Sequence, residues 1–187
     1  MIEALLTFFE QYTSLTEDEK NYINAHIPIK EIQKDELLLA EGEVSKAFYF
    51  IIKIEKIKNE HVSVYFENMF VSSYESFTKQ TPSKHYLQAI ENTSVAVISH
   101  EVAYKLLELF PRFEFLARVM MEEELIVYQE IIASFITLNA EKRYLKLVQT
   151  NPELLQRIPQ YQLATFLGVT PETLSRIRKR IISKDIS

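Results

Sequence analysis

The chain has 187 residues, 47 % of them hydrophobic and 25 % charged, the make-up of a globular protein with a real core. It contains no cysteine, which excludes disulfides, thiolate catalysis, Cys-ligated zinc and Cys-ligated iron–sulfur clusters together. A net charge of −5 argues against a nucleic-acid partner, but the charge is unevenly spread. From Glu141 onward nine Lys or Arg face four acids, a net of +5 against −10 for the residues before them. Such a division suits an acidic body with a basic end that meets a polyanion; clustering on a solvated helix face gives the same count.

At the N-terminus, Met1–Glu10 has neither a basic leading region nor a cleavage pattern. No apolar run approaches the ~20 residues that span a bilayer, so the chain reads as cytoplasmic with no membrane partner. Residues 2–26 read as helical. Leu5, Leu6, Phe8, Phe9 and Tyr12 form an apolar stripe, and Thr16 followed by Glu17, Asp18 and Glu19 marks the start of a second helix. From His26 to about Ser99 the pattern changes to short runs rich in β-branched and aromatic residues: Ile27–Ile29, Leu37–Leu39, Ala47–Ile52, Val62–Phe66, Tyr86–Ile90 and Val95–Ile98. Polar clusters separate them, as in a small all-β sandwich or barrel.

Arg112–Asn139 has no Gly and no internal Pro. Ala117, Met121, Leu125, Tyr128, Ile132 and Phe135 recur at helical spacing, and Leu116, Val119, Met120, Val127 and Ile131 form a second stripe. A helix apolar on two sides needs two burial surfaces. One is its own domain; the other is the same helix of a second subunit, packed as a coiled coil, although Glu122–Glu124 breaks the heptads. A single buried core helix is the alternative. Ala140–Thr150 predicts a further helix, interrupted by Asn151 and Pro152, with a short turn over Glu153–Gln156. The chain thus divides into residues 1–111, a long helix 112–139, and a small C-terminal domain 140–187.

The stretch 158–180 carries the strongest signal. A helix over about Gln160–Leu167, with the small Ala164 at mid-length, ends at Gly168, the residue expected at a left-handed C-terminal cap. Val169 plugs the core below the turn. Thr170 caps a second helix and Pro171 takes its first position. Leu174 and Ile177 face inward, leaving Glu172, Thr173, Ser175, Arg176 and Lys179 outward. This is the helix-turn-helix pattern, in which the second helix enters the major groove of DNA. Arg pairs bidentately with guanine and Glu accepts from the cytosine amino group. Arg178, Lys179, Arg180 and the Thr170 hydroxyl suit phosphates. A helical hairpin that merely packs is the competing reading.

The order of elements resembles the Crp/Fnr family of bacterial transcription regulators over nearly the whole chain. Leu37–Glu43 with Ala47–Lys53 is similar to the opening of the family's cyclic-nucleotide-binding β-roll; Phe66–Phe77 is a second stretch. Ala140–Leu147 followed by Leu163–Arg178 is the most specific. The resemblance implies an α+β fold: β-roll sensor, dimerisation helix, and a (winged) helix-turn-helix whose wing strands are short or missing in this chain. It implies that Glu172, Thr173 and Arg176 touch the bases. Where the family has a polar or basic residue this chain has Pro171, which has no side-chain donor to offer DNA.

Departures concern the ligand. The family's Gly-Glu pair for the ribose falls on Ser72 and Ser73, and its Arg-Ser pair for the cyclic phosphate on Ser83 and Lys84. A phosphate without its bidentate Arg loses charge-assisted hydrogen bonds, which argues against cyclic AMP. Lys84 offers a point charge without the fork. Ser72, Ser73, Tyr74, Glu75, Ser76, Ser83 and Lys84 line a pocket for another small-molecule effector, or fill a vestigial one. Haem has no support, since His26, His61, His85 and His100 show no ligand spacing. The family's hairpin between Ile52 and His61 is reduced to residues 53–60 without a Gly. No nucleophile–base pair, metal-ligand cluster or phosphate loop is recognisable, so no enzyme, cofactor or metal is expected. The expected function is a sequence-specific DNA-binding regulator, a homodimer on a near-palindromic operator. A small-molecule-sensing or protein-interaction module with secondary DNA binding is the alternative.

Overall fold

In the computed structural model, which describes residues 2–55, 67–150, 152, 155 and 159–185, the chain begins with helix α1 (Glu3–Glu10). The expected stripe buries Leu5, Leu6 and Phe9. Helix α2 (Glu17–His26) starts at Thr16 through a reciprocal cap. Thr16 Oγ1 accepts from the Glu19 N–H, and the Glu19 carboxylate accepts from the Thr16 N–H at 2.7 Å.

Glu19 is only 2 % exposed. Burial pushes its carboxyl up, but hydrogen bonds from Arg112 and Thr16 and the guanidinium charge outweigh this and hold it below the usual carboxylate range. Arg112 grips both carboxylate oxygens and also donates to the Ser14 carbonyl. Arg112→Ala should cost about 1–3 kcal/mol, below the full value for a buried pair because the Arg112 side chain is 38 % exposed. The depressed Glu19 pKa makes this contribution complete above its unfolded value and lost as pH falls through the folded one. Urea unfolding of wild type and variant should therefore differ most near about pH 7 and least near about pH 3.

Strands β1 (Ile29–Ile32), β6 (Asn92–Ser99), β3 (Ala47–Glu55) and β4 (Phe70–Val71) form one antiparallel sheet in that spatial order. Strands β2 (Leu37–Leu39) and β5 (Leu87–Gln88) form a second, two-stranded sheet. In the β3–β6 register, Phe50 faces Ala96 and Ile51 faces Val95, with a bulge between Ile51 and Lys53. The alternation sorts side chains to two cores. Phe50, Ala96 and Ile98 pack with Leu5, Phe9, Ile23, Leu106, Phe113 and Leu116 under the helices. Ile51 and Val95 pack with Ile32, Leu39, Val71, Leu87 and Ala89 inside the roll. Because the middle of β6 is buried on both faces, Val95–Ile98 reads as a continuous apolar run.

The expected all-β middle needs correction. A short helix α3 (Tyr74–Lys79) interrupts it, and a ten-residue helix α4 (His100–Leu109) follows it as one of the helices flanking the roll. Ser99 starts α4, its Oγ accepting from the Val102 N–H at 3.2 Å. The expected strand Val62–Phe66 lies outside the described residues, as do most of the reduced hairpin and nearly all of the Glu153–Gln156 turn.

Helix α5 (Arg112–Thr137) has the expected extent, two residues short of Asn139. Its first turns bury Phe113 and Leu116. Two compact units divide within it, one ending at Met121 and the other beginning at Glu122.

Candidate nucleic-acid interface

The second unit continues with α6 (Ala140–Thr150), α7 (Gln160–Phe166) and α8 (Pro171–Asp185). Its core is small and apolar: Tyr144 and Leu147 from α6, Leu163, Ala164 and Leu167 from α7 and its cap, Leu174 and Ile177 from α8. Ala164 is fully buried, where a larger side chain would hold α8 away. Helix α7 ends as its glycine requires. Gly168 has φ 66°, its N–H donates to the Thr165 carbonyl, and the Val169 N–H donates back to the Ala164 carbonyl at 2.9 Å. Val169 itself is half-buried rather than a core plug. Thr170 then caps α8, its Oγ1 accepting from the Thr173 N–H at 3.2 Å.

Burial of Leu174 and Ile177 turns the opposite face of α8 to solvent. Pro171, Glu172, Arg176, Lys179 and Arg180 are exposed, and Thr173, Ser175 and Arg178 half-exposed. Hydrogen bonds from its own backbone N–H and the Thr170 hydroxyl hold the Glu172 carboxyl below the usual range. It stays ionised and is an acceptor only. Arg176 lies beside it on the same surface, one Nη within 3.4 Å of Thr173 Oγ1. Two of the residues expected at phosphates are otherwise engaged in this structure. The Arg178 guanidinium lies 5.6 Å from the Tyr144 ring centroid, and Arg180 pairs with Glu141 at 2.9 Å. Asn139, Ala140 and Glu141 border an open groove of about 380 Å³ with Thr173, Arg176, Ile177 and Arg180. Asn139 Oδ1 caps α6 through the Lys142 N–H. Asn139, Glu141 and Tyr144 are not among the residues the sequence singles out. An Asn before a helix is a readable cap signal; partners far apart in the chain leave none.

The expected effector residues separate into two groups. Ser73, Ser76 and Ser83 are buried. Ser83 Oγ bonds Ser73 Oγ at 3.0 Å and the His85 carbonyl at 2.6 Å. Ser76 Oγ accepts from the Ser45 N–H at 2.8 Å, and Ser72 Oγ donates to the Ala47 carbonyl at 3.2 Å. Tyr74, Glu75 and Lys84 lie outside this network, exposed. Lys84 and Lys79 both pair with Glu75, at 2.9 and 3.2 Å, and hold its carboxyl low. Of the histidines, His26 stacks on Tyr22 and His100 packs between Phe77 and Tyr104. The stripe expected to pair subunits, Ala117, Met121, Leu125, Tyr128, Ile132 and Phe135, is exposed in the chain. Phe135 also has an intrachain role, with the Arg143 guanidinium 4.7 Å from its ring centroid.

No protein-family model and no curated protein matches the chain. Solved structures do. The c-di-GMP-responsive global regulator CLP of Xanthomonas campestris is 16 % identical, with 91 % of this chain and 93 % of that one covered and a TM-score of 0.68. A CooA mutant from Carboxydothermus hydrogenoformans is 14 % identical over 96 % and 84 %, with a TM-score of 0.64. FixK2 of Bradyrhizobium japonicum is 16 % identical over 86 % of each chain, with a TM-score of 0.63. At such identities the likeness establishes the fold, and that fold is the one of the Crp/Fnr regulators: a cyclic-nucleotide-binding-type β-roll followed by a helix-turn-helix. No described helix is long and apolar enough to cross a membrane.

Proposed function

We propose that the protein is a sequence-specific DNA-binding transcription regulator that acts in the cytoplasm as a homodimer on a near-palindromic operator. The observation that carries this reading is α8 itself. Leu174 and Ile177 dock it, a threonine and a glycine set its start, and Glu172, Thr173 and Arg176 stand on its free N-terminal face. That is the arrangement by which a recognition helix reads base edges. The structural neighbours support it, CLP being a global regulator by name. The apolar face that α5 leaves exposed supports pairing with a second copy, which spaces two recognition helices about one DNA turn, roughly 34 Å. Control by cyclic AMP is not part of the reading: Ser72, Ser73 and Ser83, which the resemblance aligns with ribose- and phosphate-holding positions, are hydrogen-bonded within the chain, and Lys84 pairs with Glu75.

Selection of bound sequences from a random duplex pool tests the reading directly. A two-fold-related consensus with half-sites about 10 base pairs apart is expected. Failure to retard any duplex at low salt overturns it. With the consensus in hand, Arg176→Ala should cost about 1–3 kcal/mol of operator affinity and relax preference at one position per half-site. A loss equal on all sequences would instead make Arg176 a phosphate contact.

A further inference from the structure

Helix C-termini leave carbonyl groups without intrahelical partners. Two such groups in the second unit, Leu138 O beyond the end of α5 and Leu167 O at the cap of α7, are satisfied by a single side chain. Arg143 Nη1 donates to Leu138 O at 2.6 Å, while Nε and Nη2 donate to Leu167 O at 3.2 and 2.9 Å. Only the planar guanidinium carries three donors fixed at angles that serve two carbonyls at once. The same group faces the Phe135 ring, whose Cε1 lies 2.9 Å from the place a Cβ on Gly168 would occupy. Phe135 on α5, Arg143 on α6 and Gly168 in the turn therefore meet at one point. Two residues after that glycine, Thr170 starts α8.

We propose that Arg143 is a positioning residue for DNA recognition. It ties the turn that launches the recognition helix to the last turns of the long helix, so that the placing of α8 follows α5. This rests on the DNA-binding reading above. The role needs no contact of Arg143 with base or phosphate, since three of its five N–H donors are held by backbone carbonyls of its own chain.

The test uses full-length Arg143→Lys, which keeps the charge and loses the fork. Three measurements are needed: affinity for the selected operator, affinity for the same half-sites moved apart by one base pair, and affinity for random duplex. Hydrogen exchange on the free protein follows the amides of 165–171 alongside. Operator affinity should fall about tenfold, roughly the worth of one hydrogen bond to a charged group. Preference for the native spacing should shrink, random-duplex affinity and its salt slope should stay unchanged, and exchange over 165–171 should rise. An equal loss on operator and random duplex with a shallower salt slope makes Arg143 a phosphate contact and overturns the proposal. So does raised exchange with unchanged operator affinity and spacing preference, the result of a purely structural role. If wild type binds no duplex while exchange still rises in the variant, the DNA-binding reading has failed and the clamp has survived without its proposed purpose. Should Arg143→Lys fail to fold, Arg143→Gln, which keeps an amide donor but loses the fork, carries the same three measurements with the same expected and overturning results.

Discussion

Full-length protein carrying Leu125→Asp and Ile132→Asp is expected to be a monomer that binds the selected operator about 1,000-fold more weakly than wild type, close to its affinity for random duplex. The two side chains are 56 % and 59 % exposed, so neither holds the chain's own core together. Within the helix the change costs only a few tenths of a kcal/mol in propensity each. Between two copies the cost is of another order, because a carboxylate in an apolar seam loses its hydration and finds no cation. The nearest charges along α5 are Glu122, Glu123, Glu124 and Glu130, which add repulsion. A single recognition helix then contributes only its own contacts. Light scattering gives the mass and a gel shift the affinity, with far-UV circular dichroism confirming the fold. A variant that stays dimeric, or that is monomeric and binds as before, refutes the pairing.

Gly168→Ala should have the next largest effect, a loss of about 2–4 kcal/mol from the helix-turn-helix. About 1–2 kcal/mol of this comes from the left-handed backbone alone. At φ 66° any side chain is strained, and here the new Cβ would also stand 2.9 Å from Phe135 Cε1. The ring cannot swing away without leaving Arg143, so the remainder is the cost of moving both. Thermal unfolding read over the second unit measures the sum, and a double-mutant cycle with Phe135→Ala separates it. If removing the ring restores nothing, the clash is not part of the cost. With Asn, which tolerates this backbone better, the strain should shrink while the clash stays.

Much of this architecture is legible because the sequence signals are local. Thr16 with Glu19, and Thr170 with Pro171 behind Gly168, declare helix starts and stops within a few residues. The uninterrupted run from Arg112 declares α5. Both glycines of the chain, Gly42 and Gly168, take positive φ, but only Gly168 sits between two helical patterns that show its purpose. Helix α4 leaves a signal that the strand pattern before it hides: Ser99 is a cap, and Val102, Ala103, Leu106 and Leu107 repeat at helical spacing. Helix α3 leaves none, since six residues give too few turns for a period. The site is legible where it is one helix and illegible where it is assembled. Nothing near Arg143 announces a bond to Leu167. Nothing in Arg178 and Arg180 tells that one meets Tyr144 and the other Glu141, so both read simply as phosphate partners. The serines at 72, 73, 76 and 83 look like a lining, and nothing in their spacing tells that their hydroxyls bond to one another and to nearby backbone groups.

Those hydroxyls also decide how much work a ligand could do. A buried guanidinium with no anion beside it is a tense ground state, and a phosphate that relieves the tension releases free energy that can drive a rearrangement. Serines bonded to one another and to nearby carbonyls are already at rest and carry no charge to be answered. An anion arriving among them would have to break several of those bonds. On the proposed pairing, the protein's own abundance is itself an input. Below the dimer's dissociation constant, operator occupancy rises with the square of chain concentration, so doubling the copy number quadruples the response.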